Sequence, residues 1–96
     1  MNVKDLHNAC GFIADGISYG DLCGRIAKIP GVVFTDRRSF FLGRDDIHAE
    51  FSFQGHVFKI EPDPWDSSFW VTPKDAEASY PEISEIRHRV AYEHAA

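Results

Sequence analysis

The sequence predicts an α+β fold in which helices cover one face of a four-stranded, mainly antiparallel sheet. Apolar residues recur with a helical period near both ends of the chain and with a period of two in the middle. Glycine and proline separate these segments. The 96 residues, 44% hydrophobic and 26% charged, are typical of one globular domain spanning 1–96. The expected order is two N-terminal helices, four strands and a C-terminal helix.

The first helix is expected over residues 3–14 and the second from Gly20 to Ile29, before Pro30 and Gly31. Gly11 and Gly24 weaken these helices and are consistent with close helix packing. The helical spacing of the first segment is carried by Val3, Leu6, Cys10 and Ile13. The buried face of the second is expected to contain Leu22, Cys23, Ile26 and Ile29.

The clearest strand signal is a hairpin from Ile47 to Glu61 that turns at Gln54-Gly55. A turn at this point gives one mostly apolar face and one polar face, which a one-residue slip would destroy. The apolar face pairs Phe53 with His56, Phe51 with Phe58, and Ala49 with Ile60. The polar face pairs Ser52 with Val57, Glu50 with Lys59, and His48 with Glu61.

Three further strands are shorter. Val32–Phe34 and Phe40–Leu42 are strand candidates joined by the polar turn TDRRS, and Ser68 to Thr72 forms the fourth strand. If the neighbours of Trp70 point inward, Trp70 faces outward near Val57. Either Phe41 or both Phe40 and Leu42 must face outward as well, which gives the outer sheet face an apolar character. Such a surface marks a partner or homodimer interface, unless the chain ends or the first helices cover it.

The C-terminal helix is expected from about Tyr80 to His94. Ser79 and Glu82 have the spacing of a capping box, with Pro81 in the first turn. The buried stripe of this helix is expected to contain Ile83, Ile86 and Val90.

The net charge of −5 is unevenly distributed. Glu61 to Glu85 contains seven acids and one base, whereas Arg25 to Arg44 contains five bases and one acid. Overall acidity disfavours nucleic acid as a partner. No apolar run or signal peptide indicates a membrane or secretory protein, so we expect a cytoplasmic location. Cys10 and Cys23 are then reduced core thiols, with a disulfide or redox pair as the alternative.

The segment EPDPWDSSFW, Glu61 to Trp70, has two interpretations. Its prolines and aspartates suit a rigid connection between strands. Its acids and tryptophans also suit a binding loop with an aromatic anchor. We therefore expect a small protein that binds a basic macromolecule as an accessory subunit, an adaptor or an immunity-type inhibitor. The expected contact residues are Trp65, Trp70, Asp63 and Asp66.

A small enzyme or ligand-binding domain is the alternative function. His48, Glu50 and Glu61 would be the polar groups of its pocket, as an acid–base pair or a weak metal site. The sequence contains no catalytic or cofactor-binding motif, so we expect no cofactor, and binding is favoured over catalysis. His7 with Cys10 and Cys23 gives three zinc-type ligands where a closed site needs four, so no metal is expected either.

A second alternative is nucleic-acid binding. Arg37, Arg38 and Arg44 flank Phe40 and Phe41, and basic residues interleaved with aromatic residues can bind single strands. The two aspartates that directly follow Arg44 weaken this basic segment.

Overall fold

The structure, a computed structural model, describes residues 2–5, 11–38, 48–75 and 80–92. These residues form one six-stranded antiparallel sheet with the strand order β1-β2-β6-β5-β4-β3, together with two helices. The elements are β1 (Asn2–Asp5), β2 (Phe12–Asp15), α1 (Tyr19–Ala27), β3 (Val33–Arg38), β4 (His48–Phe53), β5 (His56–Pro62), β6 (Phe69–Pro73) and α2 (Glu82–Tyr92).

The prediction of two N-terminal helices over a four-stranded sheet is wrong. Residues 2–5 and 12–15 are antiparallel strands, with Asn2 opposite Asp15, so α1 is the only helix described before β3. Phe12 and Ala14 are buried and alternate with half-buried neighbours, which is the period of a strand. Four residues are too few to separate this period from a helical one, and residues 6–10, which include Leu6 and Cys10, lie outside the described residues.

Gly11 immediately precedes β2 and lies beside the backbone of β6. A Cβ atom at this position would overlap the carbonyl oxygen of Val71 and lie 2.8 Å from Cγ2 of Thr72. The close packing that this glycine permits is therefore between two strands, not between two helices as the sequence suggested.

The predicted hairpin of β4 and β5 is confirmed. Gln54 and Gly55 have φ angles of 52° and 87°, as a two-residue turn of type I′ requires. The five observed pairs all match the prediction: Ala49–Ile60, Glu50–Lys59, Phe51–Phe58, Ser52–Val57 and Phe53–His56.

The third strand is longer than expected and carries a β-bulge. β3 includes most of TDRRS, so the predicted turn there is wrong. Phe34 lies opposite Phe51, but after the irregularity Asp36 lies opposite Glu50. The extra residue moves Asp36 to the face of the sheet that carries Glu50. The candidate strand Phe40–Leu42 lies outside the described residues.

Both helices pack on one face of the sheet and share a single hydrophobic core with it. Ser18 caps α1, because its Oγ accepts the Asp21 N–H at 3.1 Å. Arg25 Nη1 donates to the Val90 carbonyl at 3.0 Å and so joins α1 to α2. The predicted buried residues of both helices are confirmed: Leu22, Cys23, Ile26 and Ile29, then Ile83, Ile86 and Val90.

Three other expectations concern these segments. Cys23 is buried in the core, as expected, whereas Cys10 lies outside the described residues. The predicted cap Ser79 lies outside the described residues, and α2 begins at Glu82, immediately after Pro81. Neither of the two described helices has the length and apolar character needed to cross a bilayer.

Candidate functional site

The connection between β5 and β6 is a hydrogen-bonded turn organised by Asp63; residues 63–68 are called the tryptophan loop below. Asp63 Oδ1 accepts the backbone N–H groups of Trp65 at 2.7 Å and Asp66 at 3.2 Å. Its Oδ2 accepts the indole Nε1–H of Trp70 at 2.6 Å. The Asp63 N–H donates to the Ser68 carbonyl at 3.0 Å and closes the loop. One carboxylate therefore fixes the loop backbone and attaches it to β6.

A second carboxylate completes the turn. Asp66 Oδ1 accepts both the backbone N–H of Ser68 at 2.8 Å and its Oγ–H at 2.5 Å. Ser68 is only 2% exposed, so this carboxylate accepts hydrogen bonds from two polar groups of a buried residue. The interpretation of this segment as a rigid connection thus agrees with its hydrogen bonds.

Trp65 is nevertheless 91% exposed, although the backbone around it is fixed. Its neighbours Pro64, Asp66 and Ser67 are also exposed. Trp70 differs, because its ring is half-buried and its N–H is bonded to Asp63. Of the four predicted contact residues, Trp65 is displayed to solvent, whereas Asp63, Asp66 and Trp70 hold the loop in shape.

The contrast between the two tryptophans predicts a difference in acrylamide quenching of fluorescence. The Trp65→Phe variant retains only Trp70, and its emission is expected to be shielded. The wild-type protein is expected to contain an additional, readily quenched component from Trp65. Equal quenching of the wild type and Trp65→Phe would contradict the exposure of Trp65.

The outer sheet face, which is the face away from the helices, carries a network of ionic side chains. His48 Nε2 lies 3.0 Å from Glu50 Oε2, and Lys74 Nζ lies 3.0 Å from Glu50 Oε1. Glu61 instead pairs with Lys59, at 3.1 Å. Of the predicted polar set, the structure therefore brings together His48 and Glu50 but not Glu61. The register of Glu50 with Lys59 was correct, but their side chains bind other partners.

Glu50 is held in its ionised form. The hydrogen bond with His48, followed by that with Lys74, lowers the pKa of the Glu50 carboxyl from its ordinary value, and partial burial opposes this shift less strongly. The carboxylate is thus a negative centre shared by two donors.

The structure adds Asp36 to this pair. One ligand atom each from Asp36, His48 and Glu50 lie within 4.8 Å of one another; these three residues are called the outer-face cluster below. The sequence did not indicate Asp36 as a site residue, because TDRRS was predicted to form a turn. The bulge that places it beside Glu50 follows from strand pairing, and no local pattern in the sequence indicates it.

The apolar part of the outer face is modest over the residues described. Val33 is 60% and Val57 is 37% exposed, and Trp70 faces outward as predicted. Helix α1 packs on the opposite face, so neither of the two described helices covers this surface. The predicted contributions of Phe40, Phe41 and Leu42 lie outside the described residues.

An open cleft of about 350 Å³ lies beside the β4–β5 turn. The rings of His56 and Tyr80 stack there with centroids 3.7 Å apart and an interplanar angle of 15°. The residues that line the cleft do not include His48, Glu50 or Glu61. The lining residues are Gly55, His56, Val57, Lys74, Asp75 and Tyr80.

Two of the three arginines that the sequence suggested for nucleic-acid binding lie in a strand and not in a turn. Arg37 and Arg38 belong to β3, and Arg44 lies outside the described residues.

Among the described residues, the tryptophan loop and the outer-face cluster are the two candidate functional sites. The function of each has to be inferred from the chemistry of its own side chains. Comparison with protein-family models, with curated proteins and with solved structures finds no match to this chain.

Proposed function

We propose that this protein binds a basic protein partner through the tryptophan loop, with Trp65 as the anchor. The observation that carries the proposal is a 91% exposed tryptophan on a backbone fixed by two carboxylates. An exposed indole adds almost nothing to the stability of the isolated chain. In a partner's pocket it would contribute the favourable burial of a large aromatic side chain.

The rigidity of the loop supports the same function. Ordering a flexible loop on binding costs free energy that reduces affinity. Here Asp63 already holds the backbone at Trp65 and Asp66, and it also holds the side chain of Trp70. The ordering cost at the interface is therefore small.

The charge of the segment favours a basic partner. Glu61 to Trp70 contains three acids and no base. Asp63 and Asp66 shape the loop and still present negative charge at its surface, which steers a positively charged partner toward Trp65. An accessory subunit, an adaptor or an immunity-type inhibitor would each use such a surface.

Replacing Trp65 by alanine is expected to weaken partner binding by about 2 kcal/mol or more, which is roughly 30-fold in affinity. The partner is first captured with a photo-crosslinking amino acid at position 67, and the purified partner is then titrated by calorimetry. The stability of the variant is expected to stay within about 0.5 kcal/mol of the wild type, because the side chain is exposed.

Val33→Ala is the matched control, since it removes exposed apolar surface from β3 instead of the loop. We expect its affinity to equal that of the wild type. A captured partner that binds Trp65→Ala as tightly as the wild type would overturn the proposal. Light scattering of the free protein distinguishes a second copy of this chain from a different partner.

A further inference from the structure

We propose that the outer-face cluster, Asp36 with His48 and Glu50, binds a divalent first-row transition-metal ion. This site is separate from the tryptophan loop and does not depend on the proposed partner. The three donor atoms come from two adjacent strands and lie within 4.8 Å of one another. A metal with ligand distances of about 2.1 Å holds its donors roughly 3.4 Å apart, so small side-chain rotations complete the set.

The sheet positions these donors before any metal binds. His48 and Glu50 are two residues apart on β4 and so share a face. Asp36 is the cross-strand partner of Glu50, because the bulge in β3 shifts the register there. All three stand on a paired backbone, so little conformational freedom is lost when an ion is bound.

The partial exposure of the cluster suits a metal site that an ion can reach from solvent. The side chains of His48 and Glu50 are 22% and 19% exposed, so an ion could reach them while bulk water is partly excluded. Three protein ligands leave at least one coordination position for water or for a ligand, as in catalytic zinc sites.

The donor chemistry narrows the choice of ion. One imidazole nitrogen and two carboxylate oxygens suit Zn²⁺ or Mn²⁺ better than ions that require thiolates. Lys74 binds Glu50 Oε1, whereas His48 contacts Oε2. Lys74 thereby orients the carboxylate in the way that outer-shell partners orient metal ligands. Its positive charge also opposes a cation, so we expect moderate affinity.

The test is calorimetric titration of the metal-free, full-length protein with Zn²⁺, repeated for Glu50→Gln and Asp36→Asn. Each ligand substitution is expected to weaken binding at the strongest site at least tenfold. Glu61→Gln is the matched control, because it removes the same charge from the same sheet face without touching the cluster. We expect its affinity to stay within twofold of the wild type.

A second readout locates the ion. Mn²⁺ is expected to broaden the amide resonances of Asp36, His48 and Glu50 in the wild type before those of other residues, and this selectivity should be lost in Asp36→Asn. Amide spectra also establish that each variant is folded. The proposal fails if Zn²⁺ does not bind the wild type at millimolar concentration. It equally fails if both ligand variants bind as the wild type does, or if broadening centres elsewhere.

Discussion

Replacing Phe51 by alanine is expected to lower the free energy of unfolding by about 4 kcal/mol. Phe51 is fully buried on β4, and it lies between its cross-strand partners Phe34 and Phe58. Its ring centroid lies 5.5 Å from that of Phe34 and 5.6 Å from that of Phe58. Truncation leaves a cavity that the surrounding sheet is too constrained to fill. Since small domains are stable by only about 5–15 kcal/mol, this loss is a large part of the total.

Urea unfolding followed by circular dichroism measures this effect, and Phe34→Ala is the matched control. Phe34 lies in the same row of rings, but it is on the edge strand β3 and only half-buried. We expect its truncation to cost clearly less. Equal losses for the two variants would contradict the central position of Phe51 in the core.

Replacing Gly11 by alanine is expected to destabilise the protein by about 3 kcal/mol, at the upper end of the cost of overpacking. The added methyl group would overlap the carbonyl oxygen of Val71, and backbone of a paired strand cannot move as a side-chain tip can. The sign of the change is diagnostic. If residues 3–14 were a helix, as the spacing of apolar residues suggested, the same substitution would stabilise the protein by about 1 kcal/mol.

Gly24→Ala provides the matched control in denaturant unfolding. Gly24 lies within α1, and a Cβ atom there has no neighbour within 4 Å among the described residues. We expect alanine at position 24 to stabilise the protein by about 1 kcal/mol. A stabilising effect at both positions would count against the pairing of β2 with β6.

The features that the sequence predicted correctly are those determined by neighbouring residues. The β4–β5 hairpin depends on a turn dipeptide and on alternation over a few residues, so its register could be derived directly. The buried faces of α1 and α2 follow in the same way from helical spacing. In each case, one segment contains the whole signal.

The features that were missed depend on partners distant in the sequence. β2 lies between β1 and β6, and no pattern within residues 3–14 indicates its pairing with β6. The position of Asp36 beside Glu50 depends on a register shift. For the tryptophan loop, the sequence correctly suggested a turn, but it did not indicate that Asp63 binds Trp70 or that Trp65 is the exposed tryptophan of the two.

The adjacency of β2 and β6 also determines when the sheet can be completed during protein synthesis. Strands β3 to β6 are neighbours both in the chain and in the sheet, so each can pair soon after the previous one emerges from the ribosome. Phe12 and Ala14 of β2 pair with Val71 and Phe69, which lie more than half the chain length further along the sequence. This pairing cannot form until those residues have been synthesised. β2 therefore lacks its β6 partner until late in folding, and this delay follows from the strand order and not from the stability of the finished sheet.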